Sequence, residues 1–256
     1  MMKKICIIGI GLIGGSLAKA IKKTHQFEIV FGYGRDENRL ERAQKGNVID
    51  QYSADIGEAL DGANMVIIAT PVGSYESILK EMKPHIAKDM VISDVGSTKV
   101  SVIEAVKAVF DGALDNFIPA HPIAGKEKSG FEVSDADLFL NKKVIITPLE
   151  NNNPESIKML TKMWEGVGAE VDFMTPQSHD DLLGMTSHLP HMLAFSLVNY
   201  LISQHPEASV YAAGGFKDFS RIASGDAIMW RDICLHNRDS IIAHIKRYQE
   251  SLDTLV

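Results

Sequence analysis

The 256-residue chain predicts an α/β protein in two parts: a doubly wound, mainly parallel sheet over residues 1–175, followed by an all-helical part over 176–256. Three observations lead there. Short β-rich runs recur at 3–8, 28–33, 65–69, 90–93, 116–120, 143–147 and 170–173, and helix-compatible stretches at 74–86, 98–109 and 154–167 separate most of them. Strands that alternate with helices pair in parallel through helical crossovers. After about residue 175 the strand pattern fades, and helical patterns run over 179–203, 206–219 and 226–252. The last part, about 80 residues, is small for a self-sufficient core, so its apolar faces call for cover from the first part or from a second subunit.

Composition narrows the class. Hydrophobic residues make up 45% of the chain and charged residues 23%, as in ordinary globular proteins rather than disordered or fibrous ones. The formal net charge is -7, and no Lys/Arg-dense stretch offers a stripe for phosphate neutralisation, which argues against a nucleic-acid partner. Cys6 and Cys234 lie far apart and lack metal-ligand spacing, so a reducing, cytoplasmic setting without a disulfide framework is expected. No apolar run approaches the ~20 residues of a membrane helix.

Taken in order, the first element poses a choice. Met1-Met2-Lys3-Lys4 before an apolar run has the look of a secretory leader. The glycines at 9, 11 and 14 and the polar helical segment that follows favour a first buried strand instead. G-x-G-x-x-G between a strand and a helix is a dinucleotide fingerprint, which makes the sheet of the Rossmann type. Gly9 allows the tight turn, Gly11 the approach of backbone to a pyrophosphate, and Gly14 close packing of helix on strand; Leu12 and Ile13 open the helix whose N-terminus faces the phosphates. The second strand ends at Gly34-Arg35 where an NAD enzyme usually carries an acidic residue. Arg35 without a carboxylate beside it favours NADP over NAD; the rival reading gives the ribose contact to Asp36.

Further candidates fall at strand ends, where ligands of such sheets bind. Thr70 and Pro71 run past the cofactor. D-V-G-S-T-K at 94–99 leads into a helix, and Ser97 is read either as its N-cap or as a ligand of a substrate hydroxyl or of His121. His121, in H-P-I-A-G at 121–125, is a natural proton acceptor near neutral pH, or a loop histidine. In the helical part His179, Leu183, Ser187 and His191 recur at steps of four, a polar stripe on one helix that Pro190 kinks, with His188 off that line. No H-E-x-x-H or Cys/His pair accompanies these histidines, so no metal is expected. Gly214-Gly215-Phe216-Lys217-Asp218-Phe219-Ser220-Arg221 reads either as a packed turn that presents Arg221, with Asp218 to hold it, or as a structural Asp–Arg pair at a helix end.

Together, G-x-G-L-I-G-G-S at 9–16, D-V-G-S-T-K at 94–99, H-P-I-A-G at 121–125, S-H-L-P-H at 187–191, G-G-F-K-D-F-S-R-I-A at 214–223 and Met229-Trp230-Arg231-Asp232 resemble the prephenate/arogenate dehydrogenases of tyrosine biosynthesis, in the same order over nearly the whole chain. The resemblance implies oxidative decarboxylation of a cyclohexadienol with a nicotinamide cofactor, a small-molecule substrate (prephenate or arogenate) and a homodimer built by the helical part. It also implies roles. His121 takes the proton of the ring hydroxyl, Ser97 bonds that hydroxyl or His121, and Arg221, held by Asp218, binds a substrate carboxylate. His179, Ser187, His191, Gly214 and Trp230 line the pocket. Lys126 departs from the pattern, which has a small hydroxyl residue there, and reads as a solvated loop residue or a contact to substrate or phosphate. Two other readings stay open: a related dehydrogenase without decarboxylation, and a non-catalytic NADP-sensing dimer.

Overall fold

The computed structural model describes residues 2–112, 114–126, 128–211 and 213–255. The chain forms two compact units, Met1–Pro176 and Gln177–Val256.

In the first unit, β1 (Met2–Ile8), β2 (Phe27–Tyr33), β3 (Gln51–Ser53), β4 (Met65–Ile68), β5 (Val91–Asp94) and β6 (Phe117–Ile118) make one parallel sheet in the order β3-β2-β1-β4-β5-β6. α1 (Leu12–Thr24), α2 (Glu37–Lys45), α3 (Ile56–Leu60), α4 (Tyr75–Met82) and α5 (Val100–Phe110) connect these strands, and α6 (Pro154–Gly166) follows later in the chain. β4 and the second half of β1 are wholly apolar because both faces are covered. Ile5 and Ile7 join a core with Leu17, Ile21 and Trp164, while Cys6 and Ile8 face a second core with Leu79, Tyr75 and Phe117. Strand order reverses at β1 and β4, so the ends of these two strands form the natural ligand crevice.

The expected strand at 116–120 is broken. Pro119 has no N–H to give to a ladder, and the chain changes sheets there. β7 (Ala120–Pro122) pairs antiparallel with β8 (Lys143–Ile146), which runs parallel to β9 (Glu170–Phe173). His121 therefore lies inside a strand opposite Ile145, not in a loop beyond a strand end as its motif suggests. Strand β3 carries no apolar run and escapes the sequence pattern.

The second unit is helical: α7 (Pro176–Leu183), a π turn at Gly184–His188, α8 (Leu189–Gln204), a 3₁₀ turn at Ala208–Tyr211, α9 (Gly214–Ile222), α10 (Ala227–His236) and α11 (Arg238–Asp253). The expected helix over 206–219 is thus a 3₁₀ turn and then α9, and the run over 226–252 breaks at Asn237, whose backbone sits at φ -121°, ψ 30°. Among the described residues no helix is long and apolar enough to cross a membrane.

Candidate active site

The glycine turn between β1 and α1 shows why each glycine is there. Gly9 adopts φ +97°, and a Cβ on it would lie 2.9 Å from the Ala69 carbonyl oxygen. A Cβ on Gly14 would fall 2.1 Å from the Gly9 carbonyl oxygen, so only a bare backbone lets α1 approach β1 this closely. A Cβ on Gly11 would meet nothing, and no side chain caps α1 at that residue. The first N–H groups of a thirteen-residue helix thus end at an open face with no acidic residue in the first turn, a favourable seat for a pyrophosphate. A cleft of about 380 Å³ opens here, lined by Gly9, Gly11, Gly34, Arg35, Thr70 and Pro71 among others. Leu12, Ile13 and Gly14 do not line it: the first two pack on the core and Gly14 is buried against the turn.

The cleft also holds Asp36, the rival ribose contact, and residues the fingerprint does not reveal, notably Tyr33 and Arg39. The Asp36 carboxylate is engaged as the N-cap of α2, where it accepts the Arg39 N–H at 3.0 Å. Arg35, just before the N-cap of α2, and Arg39, in its first turn, both line the same cleft. The Tyr33 hydroxyl donates to Glu81 at 2.6 Å, and burial together with that carboxylate holds its pKa well above the ordinary tyrosine value.

At the end of β5 the D-V-G-S-T-K segment folds into a buried hub. Asp94 and Lys99 form an ion pair of 2.6 Å with both side chains at 0% exposure. Asp94 Oδ2 also accepts the Gly96 N–H at 2.8 Å and the Tyr75 hydroxyl at 3.2 Å. Burial is the main reason the Tyr75 hydroxyl is raised well above its ordinary pKa, with the Asp94 charge second. Ser97 is half-buried and is not the cap of α5. The helix starts at Val100 with Lys99 in the cap position, because the Lys99 side chain is drawn inward to Asp94, and Thr98 pairs with Ser101 at 2.8 Å. His121 is half-buried. Lys126 pairs with Asp135 at 2.9 Å, both about 40% exposed, which ties its loop to the segment that bonds Ser16.

In the helical unit the polar stripe expected at steps of four does not run along one α-helix. Pro190 cannot donate, and the backbone answers with a π turn in which the Leu189 N–H reaches the Gly184 carbonyl, five residues back. Asn237 and Ser240 donate to the Asp180 carbonyl at 2.7 and 3.2 Å. Asn237 also bonds His188 Nδ1 at 2.9 Å. His188, which sequence spacing set aside, is buried, and desolvation lowers its pKa to about 4. His179 is wholly buried with Nδ1 2.8 Å from the Asp180 carboxylate. His191 stacks on Trp230 at 3.7 Å between ring centroids, donates from Nδ1 to the Ser187 carbonyl at 2.9 Å, and has its pKa lowered by burial. Gly225 makes room for that indole: a Cβ there would sit 2.5 Å from Trp230 Nε1.

Gly214 and Gly215 are not a packed turn. They begin α9, and a Cβ on either would meet nothing. Arg221 lies in the last turn of α9, 3.9 Å from Asp218, with side chains 55% and 76% exposed. The Asp218 contact is therefore a loose surface pair rather than a buried clasp.

Residues 17–173 match the family model for the prephenate dehydrogenase nucleotide-binding domain, and residues 175–256 match that for the prephenate dehydrogenase dimerization domain. The prephenate dehydrogenase of Bacillus subtilis is 36% identical over 259 residues, all of this chain and 70% of that protein. The chain belongs to the prephenate dehydrogenase family. The cyclohexadienyl dehydrogenase of Zymomonas mobilis is 32% identical over 259 residues, covering 100% of this chain and 88% of that protein. Among solved structures, prephenate dehydrogenase from Aquifex aeolicus in complex with hydroxyphenyl propionate and NAD+ superposes with a TM-score of 0.93 at 36% identity, over 100% of this chain and 90% of that one. The family is one of oxidoreductases with a nucleotide-binding domain. The glycine turn and its open helix end supply the cradle such a domain needs.

Proposed function

We propose that the chain catalyses the NAD(P)-dependent oxidative decarboxylation of prephenate to 4-hydroxyphenylpyruvate. The observation that carries this reading is the joint match of both parts of the chain to one dehydrogenase family, together with the open glycine cradle after β1. A nicotinamide cofactor seated on the glycine turn at Gly9 and Gly11 would supply the hydride acceptor for the carbinol carbon. His121 takes the hydroxyl proton as the ring oxygen gains carbonyl character. The ring carboxylate leaves as CO2, and the proton returns to the phenolic oxygen as the ring becomes aromatic. Aromatisation drives the step, so the protein mainly orients, exchanges one proton and anchors carboxylates. Ser97 bonds the hydroxyl or His121, Arg221 binds a substrate carboxylate, and Ser187, His191, Gly214 and Trp230 contact substrate in this reading. The buried His179, paired to Asp180, serves as a support for them.

NADP is the favoured cofactor in this proposal. Support comes from Gly34-Arg35 after β2, from Arg39 in the same cleft, and from the commitment of the Asp36 carboxylate to capping α2. A homodimer made by the helical unit belongs to the same reading, in keeping with the exposed Tyr200, Ile202, Val210, Tyr211 and Leu235 on that unit. So does a cytoplasmic location, where the free Cys6 and Cys234 stay reduced.

The Zymomonas relative keeps arogenate in view as the alternative substrate. The deciding experiment crosses prephenate and arogenate with NADP and NAD and follows reduced nicotinamide and CO2. The expected result is fastest turnover with prephenate and NADP, and Arg35→Ala then raises the KM for NADP about tenfold while leaving that for NAD alone. No turnover with either substrate, from protein that binds cofactor, overturns the proposal.

A further inference from the structure

The buried pair at the end of β5 has more to do than hold the sheet together. Ala120 is gripped at both ends of its backbone: its N–H donates to Asp94 Oδ1 at 3.1 Å, and its carbonyl accepts from Lys99 Nζ at 2.6 Å. That carbonyl belongs to the peptide bond that carries the His121 nitrogen. The other carboxylate oxygen, Asp94 Oδ2, receives the N–H of Gly96, the residue before Ser97. One wholly buried ion pair thus contacts the backbone next to both residues assigned to the ring hydroxyl.

We propose that Lys99 and Asp94 are positioning residues for catalysis, which fix His121 and Ser97 in one mutual arrangement through the backbone of Ala120 and Gly96. Pro119 makes such a device necessary. The chain leaves the main sheet at that residue, so the strand that carries His121 has no ladder bonds to β5, and Asp94 and Lys99 supply directed bonds in their place. Stability alone does not explain a charged pair here, because well-packed apolar residues of similar volume usually serve as well. What a carboxylate with two oxygens and an ammonium with three donors add is direction. Tyr75, from α4, steadies the same carboxylate.

The inference rests on the reading of His121 as proton acceptor, and the test separates the two. In the full-length enzyme, Lys99→Met and His121→Asn are compared for kcat, for the KM of prephenate and for cofactor Kd by fluorescence titration. Lys99→Met is expected to lose about 100-fold in kcat, the scale of an ångström's misplacement, with KM and cofactor Kd nearly unchanged. Wild-type kcat in Lys99→Met beside a slow His121→Asn overturns the positioning role alone. Wild-type kcat in both overturns the His121 reading and this inference with it. A loss in Lys99→Met that tracks weakened cofactor binding assigns the pair to folding only and also overturns the proposal. Should Lys99→Met not fold, Tyr75→Phe decides: one hydrogen bond fewer on Asp94 is expected to cost about fivefold in kcat at constant KM, and an unaltered kcat overturns the proposal.

Discussion

Two acid–base pairs, each built from residues a few positions apart in the chain, sit at opposite extremes of burial. Asp94 and Lys99 meet at 2.6 Å with no exposure at all, whereas Asp218 and Arg221 stand 3.9 Å apart on the surface of α9. The first pair is a fixed brace with further bonds to Tyr75, Gly96 and Ala120. The second is an exposed pair, and at this distance the Asp218 contact contributes little. Sequence motifs drew attention to both. Burial, not spacing, separates the two pairs.

The sharpest way to break this contrast is to remove one partner of each pair. Asp94→Ala strands a buried ammonium and is expected to destabilise the first unit by about 3–5 kcal/mol, read from denaturant midpoints. Arg221→Ala is expected to leave the melting temperature alone and to cost about 2–5 kcal/mol in kcat/KM, chiefly through KM, as a substrate carboxylate loses its partner. An Arg221→Ala variant with intact KM removes the ligand role and makes the two pairs alike.

The comparison extends to pH. The folded pKa of His188 lies near 4, below the ordinary value of 6.5, so this residue is neutral in the native helical unit and the unfolded chain binds the extra proton. Its contribution is complete above about pH 6.5 and is lost as pH falls toward 4, on the order of 3 kcal/mol at full extent. Urea titrations at pH 7 and pH 4.5 should show that loss, and it should shrink in His188→Gln. The smallest effect is expected for Asp218→Asn: a change in stability within about 0.5 kcal/mol, as for most surface substitutions.

Much of the first unit was legible because its geometry admits few residues. A side chain at Gly14 cannot coexist with the Gly9 carbonyl, so the fingerprint spacing states a packing fact. The change of texture after residue 175 likewise reflects apolar strands giving way to helical periodicity. What stayed hidden depends on partners remote in sequence. Lys99 stands in the D-V-G-S-T-K motif with no role that spacing assigns, and only the fold brings the Ala120 carbonyl to its ammonium. Ser97 reads either as a cap or as a ligand, and the cap reading fails because Lys99 takes that position. The break at Asn237 follows from its side chain being spent on Asp180 and His188, about fifty residues earlier. The π turn was half visible: Pro190 announced a disturbance, but not that the turn would widen rather than kink.

That turn also constrains how the chain can change in length. A π turn is an α-helix that has accommodated one extra residue, and a single deletion within residues 184–188 would restore ordinary helical register. It would also rotate everything downstream by about 100°, carrying His191 away from the Trp230 face on which it stacks. Substitutions in this segment are matters of degree, but a change of one in its residue count re-aims α8 as a whole, so loss or gain of a codon is the event this helix tolerates least.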